Sequence, residues 1–202
     1  MDIKYFDQLT LVLKEILGPD FIEIKYALGE ATLTVYPASI VRVLTILNDH
    51  HKCKFKQLID ITAVDYPSHA QRFEVVYHLL SLSENVRLRI KINVAEGVSV
   101  PTSIQVFSCA NWYEREIWDL FGIAFMDHPD LRRILTDYNF SGHPLRKDFP
   151  LTGYTQVRYC EKEGRVIYEP VYLQQEYRSF DFLSPWEGGA SKLESVPKLE
   201  NV

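Results

Sequence analysis

The chain has 202 residues, a length suited to one domain, with 47% hydrophobic and 24% charged residues that exclude a disordered or fibrous body. Its net charge of −5, from 22 basic and 27 acidic side chains, argues against a nucleic-acid binder, whose footprint is a basic excess. No run approaches the roughly 18–20 apolar residues of a membrane span, and Met1-Asp2-Ile3-Lys4-Tyr5 has the order of neither a secretory signal nor a transit peptide, so the chain reads as soluble and made where it works.

In chain order, Phe6, Leu9, Leu13, Ile16 and Leu17 recur at helical spacing until Gly18-Pro19 stops them. Residues 21–26 and 31–36 alternate (Ile22, Ile24, Tyr26; Ala31, Leu33, Val35) around Gly29-Glu30, which predicts a hairpin. Ile40, Val43, Leu44 and Leu47 form the stripe of a second helix starting at Ser39. Phe55 to Val64 ends as a strand before Asp65-Tyr66-Pro67. Phe73 to Leu82 is rich in strand formers, and Val86 to Val94 alternates without a break. Ser83-Glu84-Asn85 is short enough to join the two as antiparallel neighbours. The second of these strands turns Arg87, Arg89 and Lys91 outward, a stripe read as a solvated face. Residues 102–121 read as helix, with its strongest part over 109–121 and Gly122 as its stop. His128-Pro129-Asp130 predicts a further short helix. After Gly142 prolines punctuate a stretch of aromatics, including Phe149, Tyr154, Tyr159, Tyr168, Tyr172 and Tyr177, with no sustained period.

The expected fold is therefore α+β: a mixed or antiparallel sheet packed with helices over residues 1–141, followed by an extended aromatic and proline-rich arm over 142–187. Residues 188–202 are Gly-, Ser-, Lys- and Glu-rich and read as a disordered tail.

Chemistry is sparse. Cys53, Cys109 and Cys160 are widely spaced, lack Cys-x-x-Cys pairing, and read as small apolar core residues in a reducing compartment. Among the acids of the helix, Glu114 and Glu116 point to nearly opposite sides. Asp119 lies four residues after Arg115 and is expected to pair with it, so an ion-pair role is favoured over acid–base catalysis. No Glu-x-x-His pair, His-x-x-x-His pair, Walker loop, Gly-x-Ser-x-Gly elbow or Gly-x-Gly-x-x-Gly is present, and no catalytic, cofactor-binding or metal-ligating residue is expected. His128 and His143, each before a proline, read as turn or capping residues. Asp130, Arg132, Arg133, Asp137, Arg146, Lys147 and Asp148, mixed with aromatics, have the composition of an interface.

These residues carry a resemblance. Glu114-Arg115-Glu116-x-x-Asp119-Leu120-Phe121, then His128, then Arg132-x-Ile134-Leu135, resembles the signature of the thirty-kilodalton subunit family (the C subunit) of the proton-pumping NADH:quinone oxidoreductase, respiratory complex I. The likeness extends from Asp65-Tyr66-Pro67 and Arg72-Phe73-Glu74-Val75-Val76-Tyr77 through Gly142-His143-Pro144-Leu145-Arg146-Lys147-Asp148 to Glu176-Tyr177-Arg178 and Ser184-Pro185-Trp186-Glu187. Asp127 stands where many members have glycine.

The resemblance implies an α+β subunit without a cofactor in the peripheral arm, on the cytoplasmic side of the inner membrane (the matrix side if mitochondrially encoded). It implies partners in the D, B and I subunits of the complex, with FMN, iron–sulfur clusters and quinone held by partner subunits. Glu114, Arg115, Glu116 and Asp119 would hold the signature helix in the assembly. His128, Arg132, Arg133, His143, Arg146 and Asp148 would fix the loops that meet partners, with Arg178 and Trp186 in the arm. Two alternatives are the related scaffold of a membrane-bound hydrogenase or of an oxidoreductase fed by a donor other than NADH, and a free-standing enzyme acting through its carboxylate helix.

Overall fold

The computed structural model describes residues 3–175, with side chains from residue 9 onward. Helix α1 (Ile3–Leu17) buries Leu9, Leu13 and Leu17, which fall four apart on one face. It ends where Gly18 takes a positive φ of 53° ahead of Pro19. Helix α2 (Ile40–Asp49) buries the predicted stripe of Ile40, Val43, Leu44 and Leu47. Strands β1 (Phe21–Ala27), β2 (Glu30–Val35), β3 (Gln57–Asp65), β4 (Phe73–Ser81) and β5 (Val86–Val94) form one sheet in the order β1-β2-β5-β4-β3. All neighbours are antiparallel except β2 and β5, which run parallel, so the fold is the expected mixed α+β type.

The β4–β5 hairpin is in the register its pattern predicts. Val86, Leu88, Ile90, Ile92 and Val94 are all buried and pair with Ser81, Leu79, Tyr77, Val75 and Phe73. Arg87 is exposed, whereas Arg89 and Lys91 lie partly covered, paired with Glu30 and Glu74. Two of the stripe's three cations are thus laced into ion pairs across the sheet. In β1 the alternation of Ile22, Ile24 and Tyr26 is broken by a register shift between Phe21 and Glu23. That bulge turns Phe21 and Ile24 towards the core and leaves Ile22 and Tyr26 exposed.

Helix α3 runs over Ala110–Phe121 and packs beside β3. The predicted helix over 102–121 is shorter than its sequence suggests, because residues 102–109 form turns in which Val106 and Phe107 both donate to the Ser103 carbonyl. Thr102 and Ser103 spend their side chains on another contact, described below, a common way for hydroxyl residues to leave a helix. A short parallel pair joins β6 (Val100–Pro101), ahead of α3, to β7 (Phe125–Met126), beyond it. The helix predicted at His128-Pro129-Asp130 does not form; residues 127–141 are turns and loop whose amides are used elsewhere. Asp127, the residue at the family's glycine position, takes φ 63°, in the left-handed region that glycine reaches most easily.

Residues up to Gly153 make one compact unit and those from Tyr154 another. Residues 142–153, where the sequence reads as the start of the arm, belong to the first unit: the Leu145 amide donates to the Leu120 carbonyl and the Lys147 amide to the Asp65 carboxylate. In the second unit, β8 (Thr155–Cys160) and β9 (Arg165–Pro170) form an antiparallel hairpin, so a stretch without apparent period in the sequence has a strand period after all. One face pairs Val157 with Tyr168 and Tyr159 with Val166; on the other, Gln156 and Arg158 donate to Glu169. Arg178, Trp186 and the tail over 188–202 lie outside the described residues.

Candidate functional site

Helix α3 sends its charged residues in three directions. Ala110, Glu114, Ile117 and Phe121, spaced three and four apart, face the core. The Glu114 carboxylate is fully buried and accepts hydrogen bonds from the Thr102 hydroxyl (2.5 Å), the Ser103 amide (2.7 Å) and the Ser103 hydroxyl (2.7 Å). These three donors replace the water that a buried carboxylate loses. Its charge also reaches the buried Tyr77 phenol, whose pKa is pushed up chiefly by burial and further by Glu114.

Asp119 faces the loop after His128. One carboxylate oxygen accepts the amides of Ile134 (3.0 Å), Leu135 (2.8 Å) and Thr136 (2.9 Å), while the other accepts from the Thr136 hydroxyl (2.5 Å) and Arg133 (2.7 Å). Burial pushes its pKa up, but the Thr136 hydroxyl and the three amides outweigh burial and hold it well below the usual carboxylate range. The expected partner is therefore corrected: Asp119 pairs with Arg133, and Arg115 donates instead to the carbonyls of Arg132 (3.2 Å) and Arg133 (3.1 Å). The helix thus grips both sides of one loop backbone, amides through Asp119 and carbonyls through Arg115. Arg133 also donates to the Gly142 carbonyl and lies over the rings of Trp118 and Phe140 at 5.7 and 5.6 Å, within cation–π range.

The two histidines act in turns and at a helix end, as their sequence context predicts. His128 Nδ1 accepts the Asp130 amide at 3.1 Å, so Nε2 carries the proton and donates to the Asn111 carbonyl at 3.1 Å. His143 Nδ1 donates to the Asp119 carbonyl at 2.9 Å. Gly122 ends α3 at φ 77°, and a Cβ there would come within 2.6 Å of both Arg146 and His143. Arg146 donates to the Phe121 carbonyl (2.5 Å) and to Glu96 (2.7 Å). Beside it Arg72 binds Asp65, Glu96 and Asp148, and both arginines lie 5.2 Å from the Phe73 ring. Hydrogen bonding to Arg72 holds Asp65 below its ordinary pKa against burial, with the Lys147 amide adding to it, and Arg72 does the same for Asp148.

The sequence-predicted residues thus converge around α3 and the loops over 128–148, and most are consumed within the chain. Glu116 and Arg132 are exposed, the latter paired with Asp130 at 2.8 Å. Thr102, Ser103 and Glu96 escape a reading of the sequence, being polar residues of ordinary type that belong to no motif. Cys109, expected in the core, is exposed, while Cys53 is buried and its thiol is pushed up to about 11 by burial. Among the described residues, no three His, Cys, Asp or Glu side chains are grouped so as to hold a metal ion.

Residues 33–155 match the model of the family described as the 30 kDa subunit of respiratory-chain NADH dehydrogenase. The chain is 60% identical over 176 residues to the C subunit of NADH-quinone oxidoreductase from Methylobacterium sp. strain 4-46, covering 87% of this chain and 82% of that one. It is 55% identical over 188 residues to the C subunit of the Brucella abortus enzyme, covering 93% of each. Among solved structures it resembles a chain in the membrane-bound sulfane sulfur reductase, an archaeal respiratory membrane complex. That likeness has a TM-score of 0.63 and 26% identity, and covers 73% of this chain and 86% of the other.

Proposed function

Because the chain belongs to the 30 kDa subunit family of respiratory-chain NADH dehydrogenase, and is thereby a subunit of an NADH-quinone oxidoreductase, we propose that it works there without a catalytic centre of its own. It scaffolds the quinone-reducing module of the peripheral arm while electrons pass from NADH to quinone and protons are translocated. FMN, the iron–sulfur clusters and quinone belong to partner subunits on this reading, and the D, B and I subunits are its neighbours. It meets the inner membrane from the cytoplasmic side through the complex; no helix among the described residues is long and apolar enough to cross a membrane.

The observation that carries the reading is that the signature's charges, Glu116 apart, are spent within the chain. Glu114, Arg115, Asp119, Arg133 and Arg146 all spend their polar atoms on backbone and side chains of the same chain. General acid–base catalysis needs a group within reach of a substrate proton, whereas Arg115, Asp119, Arg133 and Arg146 set the path of the loops over 128–148 and Glu114 holds the turn at 102–103. A scaffold needs that fixed surface.

The archaeal reductase favours a second setting, the same scaffold in a different respiratory membrane complex. Identities of 55–60% to chains of NADH-quinone oxidoreductases, against 26% to the reductase chain, favour the NADH-linked complex. Purification of the tagged chain from mildly solubilised membranes discriminates: subunits of an NADH-quinone oxidoreductase co-elute on the proposed reading. Recovery with hydrogenase or sulfur-reductase subunits, or alone with a turnover of its own, contradicts it.

A further inference from the structure

One face of α3 takes no part in the clamp. Cys109, just before the helix, and Trp112, Tyr113 and Glu116 in it lie at spacings of three, four and seven residues, one continuous stripe. With Ile134 and Leu135 of the clamped loop they line an open groove of about 860 Å³. Trp112 is 69% and Leu135 62% exposed, so two large apolar side chains are open to solvent within one groove. Glu116 is the one charged residue lining the groove, and among the described residues it has no ion-pair or hydrogen-bond partner, unlike Glu114 and Asp119. The floor is rigid, because Ile134 and Leu135 are pinned by their amides to Asp119.

We infer that this groove is a docking site for a segment of another subunit that presents an apolar side chain next to a lysine or arginine. The inference rests on the scaffold reading above and names the chemistry of one partner contact. Charge complementarity selects the occupant: an aromatic and aliphatic trough with a lone carboxylate fits a basic, apolar segment and repels an acidic one. Trp112 is the anchor, of the residue type most enriched at interface hot spots, and Glu116 sets register and sign.

The three cysteines supply the footprint, since Cys109 lies in the groove, Cys53 is buried and serves as a folding control, and peptide mass spectrometry separates both from Cys160. Alkylation by a small maleimide is compared in the isolated full chain and in the purified complex. Cys109 is expected to react at least about tenfold more slowly in the complex. Glu116→Lys and Trp112→Ala should each lower incorporation into the complex about tenfold, with Cys53 still protected in the isolated variants. Equal Cys109 reactivity in both states overturns the inference, as does normal incorporation of both variants. Concentration-dependent protection of Cys109 in the isolated chain also overturns it, because the occupant would then be a second copy. If the wild-type chain does not enter the complex at all, the scaffold reading fails and this inference with it.

Discussion

At Asp119 a single carboxylate closes the path between helix and loop, so its removal reads out the clamp directly. Asp119→Ala strands Arg133 and three amides, and should cost about 3–5 kcal/mol in chemical denaturation, the range for a broken buried pair. Asp119→Asn should leave a visible pH signature. The folded-state pKa is depressed, so the stabilisation is fully present above the unfolded carboxylate range near about 4 and is lost as pH falls through the folded value. Melting curves from pH 6 down to about 2 should therefore fall less steeply for the variant than for the wild type, with Asp65 and Asp148 retaining part of the slope. An unchanged acid limb would contradict the clamp. Glu114→Gln brings an amide donor against the Ser103 donors and should cost about 1–3 kcal/mol, whereas Glu116→Gln, exposed and without a partner among the described residues, should stay within about 0.5. Helical spacing made the divergence of Glu114 and Glu116 legible. It could not show which cation Asp119 takes, because Arg133 is brought to it by a loop fold and wins over the near neighbour Arg115.

Among the elements, β5 was legible because alternation against a buried face leaves one register. Leu88→Ala should cost about 2–5 kcal/mol, while Arg89→Ala, losing a partly exposed pair to Glu30, should cost about 0.5–1 in thermal melts. The reverse order would mean a strand shifted by one residue. Where local pattern misled, a long-range partner had intervened. Residues 134–136 cannot continue a helix while donating their amides to Asp119, and the 102–109 turns are held by Glu114 from the helix that follows. β8 and β9 are hidden for a different reason: their polar face, with Gln156, Arg158, Arg165 and Glu169, also carries Cys160 and Ile167, which interrupt the alternation in each six-residue strand. The end of α3 carries its own test. Gly122→Ala forces a side chain into a left-handed residue and against Arg146 and His143, and should lower stability by more than about 1 kcal/mol.

For the whole molecule, the division after Gly153 gives a place to separate folding from assembly. A chain ending at Gly153 should melt close to the full-length temperature yet be lost from the complex on native gels; if it unfolds outright, the second unit belongs to the stability of the first. The purified full-length chain should show no visible absorbance and no redox wave, since flavin, clusters and quinone sit in partner subunits on the proposed reading. That reading makes the chain a cofactor-free subunit whose clamped α3 loops support an NADH-quinone oxidoreductase. NADH:quinone reductase activity decides it, measured in membranes from cells lacking the chain and complemented with wild type or Asp119→Ala. Cells without the chain should lose both activity and intact complex, and wild type should restore both. Asp119→Ala should lower activity only in proportion to the complex assembled. Full complex with activity abolished in the variant would contradict the scaffold role, since Asp119 would then serve the reaction itself.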